Sequence, residues 1–139
     1  MSSIAEIGNE IVEDFELFED WEGKYEYLIE LGKDLPLIDE KYKTDEYIVR
    51  GCQSRVWLHA SHDGDKVFYT ADSDAIITKG LVGLMIKVLN GQKASDITTA
   101  ELGFIDKVGL KEHLSPTRSN GLLSMIKQMK LYALALDKS

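Results

Sequence analysis

An α+β fold is predicted by the order of hydrophobic periodicities along the chain. Apolar residues recur at three- and four-residue steps through about residue 30, alternate in the middle, and return to helical spacing from about residue 77. Asp63-Gly64 breaks the alternating stretch as a hairpin turn would, since both residues tolerate positive φ. The expected architecture is a small three-stranded antiparallel sheet with helices covering one face. At 139 residues it forms one domain, residues 1–139, large enough for a core without disulfide or metal staples.

The elements follow in order. Ile4, Ile7, Ile11, Phe15 and Phe18, with acidic residues between them, predict an amphipathic helix over residues 3–18. Asp20 is placed to cap a second helix from Trp21, with Trp21, Tyr25, Leu28 and Ile29 as its buried stripe. Gly32 is expected to end that helix, and Pro36 opposes its continuation, so residues 32–45 read as a loop. Strands are expected over 46–49, 54–61 and 66–71, with Val56, Leu58 and Ala60 on one side and Arg55, Trp57 and His59 on the other. Asp72-Ser73-Asp74 supplies N-cap candidates for an apolar helix carrying Ile77, Leu81, Leu84, Met85, Val88 and Leu89 and stopping at Asn90-Gly91. One or two short helices fit residues 94–107, ending at Gly109. Ser115 as cap and Pro116 as first helical residue open a closing helix whose stripe is Leu122, Met125, Ile126, Met129, Ala133 and Leu136. The methionines read as gap-filling core residues rather than ligands. No internal repeat or low-complexity segment is present.

Charge is unevenly placed. Residues 1–46 hold 15 acidic against 4 basic residues, while the remainder holds 9 against 12, giving a net −8 overall. An acidic chain without a basic stripe argues against nucleic acid as a partner, because phosphate neutralisation supplies most non-specific affinity. The acidic part reads first as a solvated face and otherwise as a docking surface for a basic partner. The start of the sequence has neither the basic nor the apolar region of a signal peptide, and no apolar run is long enough to span a bilayer, so a cytoplasmic protein without membrane contact is expected.

The one cysteine, Cys52, falls on a loop between two strand-like runs. A cysteine kept only for packing belongs more naturally inside an apolar segment. Gly51 permits close backbone approach, Ser54 offers a hydroxyl, and Arg50 and Arg55 are near in sequence. A cation there favours the thiolate, of which an unperturbed thiol with pKa near 8.5 supplies only about 3% at pH 7. Competing chemistries are weaker. His59 and His62 lie at an odd spacing along a strand, which sends them to opposite faces and disfavours a zinc site with His113 and Cys52. His113 is the best partner for a Cys-His dyad. The glycines fit no phosphate-binding fingerprint, and one thiol is too few for a cysteine-held iron–sulfur cluster.

Three runs carry a resemblance: Gly51-Cys52-Gln53-Ser54-Arg55-Val56-Trp57-Leu58, then Asp72-Ser73-Asp74-Ala75-Ile76 with Gly80-Leu81, then Leu114-Ser115-Pro116-Thr117-Arg118-Ser119-Asn120-Gly121-Leu122. In this order they resemble the SufE family of sulfur-acceptor proteins, which includes its close paralogue CsdE. The resemblance implies a compact SufE/IscU-like α+β domain. Its loop cysteine takes persulfide sulfur from a SufS-type cysteine desulfurase, stimulates that enzyme, and passes the sulfur to an iron–sulfur scaffold such as the SufBCD complex. By motif position, Cys52 is the implied carrier, Arg118 the arginine near it, and Asp74 an acidic residue associated with control of the loop, with Gly51, Gln53 and Ser54 as flanking loop or partner-contact positions. No cofactor is implied in this chain, because the pyridoxal phosphate belongs to the desulfurase. Pairing with a second copy of the chain stays open.

Thiol–disulfide-like exchange requires no metal, and a lone thiol cannot close an internal disulfide that would discharge the persulfide. Arg118, near the start of the closing helix, would add to that helix's positive end and favour an anionic sulfur. Two other classes of function compete: a single-cysteine redox sensor, which would hold a stable sulfenic acid, and a non-catalytic adaptor docking through its acidic helices. A carrier also predicts a loop that buries Cys52 at rest and releases it on docking.

Overall fold

The computed structural model describes residues 3–137. Helix α1 (Ile4–Glu16) opens with a capping box in which Ser3 accepts from the Glu6 N–H and the Glu6 carboxylate answers the Ser3 N–H. Helix α2 (Trp21–Lys33) begins at Asp20, whose carboxylate accepts the Gly23 N–H at 2.9 Å. Phe15 of α1 meets Tyr27 of α2 edge to face, and the Tyr27 hydroxyl donates to Asp14 at 2.8 Å.

Gly32 lies buried within α2 rather than ending it, because it serves a different purpose. There α2 crosses helix α3 (Ile76–Leu89) almost backbone to backbone. A Cβ on Gly32 would stand 3.0 Å from the Gly80 nitrogen, one on Gly83 would stand 2.6 Å from the Leu31 carbonyl oxygen, and one on Gly80 would collide with the Leu28 carbonyl. The apolar α3 is the central helix, with Leu81, Leu84, Met85, Val88 and Leu89 all buried. It stops at Asn90-Gly91, where Gly91 takes φ +76°.

The sheet has two strands, not three. Strands β1 (Val56–Asp63) and β2 (Lys66–Ser73) pair antiparallel from Val56↔Ser73 to Asp63↔Lys66. Gly64 and Asp65 form the turn, with positive φ at Gly64 alone. The expected first strand over 46–49 fails for a local reason. Asp45–Tyr47 winds into a 3-10 turn, and the loop departs after Val49, so only Ile48 bridges to Trp57 and Val49 donates to the Val56 carbonyl at 2.8 Å. The other edge is covered as well: Leu37 bridges to Ala71, and Val67 exchanges hydrogen bonds with Gly91 and Gln92.

Val56 and Leu58 of β1 and Val67, Tyr69 and Ala71 of β2 face the helical core. On the opposite face Tyr42 stacks on His59 at 4.1 Å between ring centroids, and the Lys43 ammonium lies over Trp57. Three short helices, α4 (Ala94–Thr98), α5 (Phe104–Lys107) and α6 (Leu110–His113), lead to α7 (Pro116–Asp137). Ser115 caps α7 through the Arg118 N–H at 3.2 Å. Met125 and Met129 of α7 are buried in the core, as is Met85. The Tyr69 hydroxyl, fully buried, donates to the Met129 carbonyl at 2.7 Å and locks the sheet to α7.

Candidate functional site

Residues 50–55 leave the sheet and return to it, with the Val49–Val56 hydrogen bond closing the base. Asp74 secures the returning end. Its carboxylate accepts the Arg55 N–H at 3.0 Å and its own N–H donates to the Arg55 carbonyl at 3.3 Å. The acidic run before α3 is thus used for this fastening and not as the expected N-cap. Position N-cap falls to Ala75, which has no capping side chain. Asp72 binds Lys43 at 2.7 Å and Lys79 at 3.4 Å. Burial alone would raise its carboxyl, but the Lys43 bond, the Ser73 N–H and the Lys79 charge together hold it below the usual carboxylate range.

Gly51 takes φ +94°, and a Cβ there would drive into the Ser124 hydroxyl of α7. Only glycine meets both conditions without strain. The tight approach turns Cys52 inward, half-buried, with its Sγ 3.5 Å from the Gly121 carbonyl oxygen, to which the thiol donates. Gly121 also packs directly against the cysteine, since a Cβ on it would be in van der Waals contact with that sulfur at 3.5 Å.

Sγ faces a pocket of about 70 Å³ with Thr78, Leu81 and Met125 in its walls and Gln53, Ser54, Thr117 and Arg118 among its lining residues. Burial pushes the Cys52 thiol above its ordinary pKa. The arrangement stores a protonated, shielded sulfur beside an arginine and the first turn of a 22-residue helix.

The structure thus brings Cys52, Gln53, Ser54 and Arg118 to one pocket, with Gly51 shaping the loop and Asp74 anchoring it from outside. Arg50 and Arg55 are exposed and do not line the pocket. Neither does His113, which stacks on Trp21 at 3.9 Å and engages the Gly109 carbonyl. His59 is stacked on Tyr42, and burial with the Lys41 charge lowers its pKa. Among the described residues no three His, Cys, Asp or Glu side chains are grouped as a metal site would require. The residues that sequence reasoning missed are Gly121, Thr78 and Ser124. Gly121 alone carried a signal, as a glycine inside a helical pattern, costly unless packing demands it.

Comparison with known proteins identifies the family. The family model described as "SufE: Fe-S metabolism associated domain" matches residues 9–133. An uncharacterised SufE-like protein of Rhizobium meliloti is 44% identical over 127 residues, covering 88% of this chain and 91% of that protein. A second, of Rhizobium etli, is 42% identical over 127 residues and covers 88% of this chain and 86% of the other. "SufE-like protein 1, chloroplastic/mitochondrial" of Arabidopsis thaliana is 43% identical over 129 residues, covering 92% of this chain but 35% of the plant protein. The solution structure of a hypothetical protein from Thermus thermophilus shares the fold, with a TM-score of 0.80, 22% identity and coverage of 96% of this chain and 97% of that one. No helix among the described residues is long and apolar enough to cross a membrane. With the family model matching most of the chain and relatives at 42–44% identity, the chain belongs to the SufE family, which is associated with iron–sulfur metabolism.

Proposed function

We propose that the protein carries sulfur on Cys52, taking it from a pyridoxal-phosphate cysteine desulfurase, stimulating that enzyme by unloading it, and delivering the sulfur to an iron–sulfur assembly scaffold in the cytoplasm. The observation that supports this most is the placement of the only thiol on a short loop cinched at its base and tucked against the start of α7. Such a loop moves one sulfur atom without disturbing the core.

In the exchange, the Cys52 thiolate attacks the terminal sulfur of the donor's persulfide. One S–S bond forms on Cys52 as the donor's S–S bond breaks, and the donor cysteine leaves as a thiolate. No net oxidation occurs, and the proton lost by Cys52 is matched by the one the leaving thiolate can take. Arg118 and the helix start supply positive charge where the transferred sulfur is anionic. The raised thiol pKa fits a resting state that is slow to react with stray oxidants, which weighs against the redox-sensor reading.

Intact-protein mass spectrometry after incubation with desulfurase and free cysteine tests the reading, with Cys52→Ser in parallel. Gain of sulfur on the wild type alone is expected. An unloaded wild type beside a demonstrably active desulfurase overturns it.

A further inference from the structure

Beside its buried face, α7 presents a second, partly exposed apolar strip. Leu123, Ile126, Lys127, Lys130, Leu131 and Leu134 stand at positions i, i+3, i+4, i+7, i+8 and i+11, which share one side of the helix, and line a groove of about 380 Å³ that reaches Thr98 of α4. Leu123 and Leu131 are each 47% exposed and Leu134 42%, an unusual run of large apolar side chains for a solvent face. Two cations sit among them. The Lys130 ammonium is fixed on the Ala100 carbonyl at 2.7 Å, and among the described residues neither lysine forms an ion pair with a carboxylate. Along its length α7 carries Arg118, Lys127 and Lys130 against Asp137 alone, in a chain of net charge −8.

We propose that this strip docks an amphipathic protein segment whose leucine-like side chains are flanked by carboxylates, lying in the groove as a helix does. The charge decides among occupants. A second copy packed by two-fold symmetry would bring this same lysine-bearing strip against itself, and like charges in a desolvated seam oppose it. A membrane surface would meet only two lysines here, fewer than the cluster of about four to eight that holds a protein to anionic lipid, on a chain whose net charge repels such lipid.

The groove continues toward the cysteine loop. Lys127 and Leu131 also line a neighbouring depression with Arg50 and Ser124, and Ser124 is the residue that abuts Gly51. Asp45 and Glu46 stand in that depression too, so the occupant's carboxylates belong on the Thr98 side, over Lys127 and Lys130. A segment so seated has one end near Ser124, which abuts the Gly51 turn of the cysteine loop, yet the proposal stands whether or not Cys52 carries sulfur.

Fluorescence anisotropy of the full chain with a designed helical peptide of leucines flanked by glutamates tests it, against the same peptide with lysines for glutamates. Saturable binding of the acidic peptide is expected, weakened by salt and about tenfold or more by Leu131→Glu or by Lys127→Glu, both on an exposed face and both checked for an unchanged melting temperature. Failure to bind, equal binding of both peptides, or binding indifferent to both substitutions overturns the proposal. So does a concentration-dependent dimer abolished by Leu131→Glu, or cosedimentation with phosphatidylserine vesicles lost in the same variant.

Discussion

At Cys52 partial burial holds the proton on sulfur, and the thiol donates to the Gly121 carbonyl. An acid whose pKa is raised by folding adds stability that is complete below its unfolded pKa and fades as pH climbs through the folded value. Wild-type stability should therefore fall faster than that of Cys52→Ser above about pH 8.5, as followed by urea denaturation. Alkylation of Cys52 should likewise show a midpoint above that of free cysteine. Asp74→Ala removes the acceptor of the Arg55 N–H and loosens one end of the loop. That variant should be alkylated several-fold faster at neutral pH, with global stability lowered by no more than about 1 kcal/mol. Gly51→Ala must relieve both a positive φ and a collision with Ser124, and the expected result is a displaced loop with Cys52 freely reactive.

Among the elements, the α2–α3 crossing is the most demanding. Gly80→Ala places a methyl on the Leu28 carbonyl, backbone that cannot swing aside, and should cost about 2–3 kcal/mol by chemical denaturation. Tyr69→Phe leaves the Met129 carbonyl without its buried donor and should cost about 1–3 kcal/mol. What the sequence disclosed divides along the same line. Caps such as Asp20 and Ser115 act within three residues and were legible, as were the helical stripes. Gly32 looked like a stop because its partner Gly80 is 48 positions away, and Asp74 looked like a cap because its bond to Arg55 spans 19 positions. The missing strand was misread for a related reason: Ile48 and Val49 have strand propensity, but the flanking 3-10 turn and loop leave no room for a ladder.

Over the whole molecule, charge and chemistry are segregated. The surplus carboxylates lie in the first 46 residues, while the cysteine pocket and the helix that closes it come from the mildly basic remainder. Crowded like charges repel, so moderate salt should raise the melting temperature until screening is complete, and neutralising Glu10, Glu13 and Glu16 should flatten that dependence. The loop and Arg118 were visible in the sequence as motifs; the pocket joining them was not, since it depends on Thr78 and Leu81 of α3 meeting Gly121 of α7. The cinched base of residues 50–55 has a further consequence. Because Val49 donates to the Val56 carbonyl and Asp74 holds Arg55, the two ends of the flap are fastened independently of its tip. Cutting the backbone between Gln53 and Ser54, or making these the ends of a circularly permuted chain, should leave the two parts assembled, with a melting temperature within a few degrees of the intact chain.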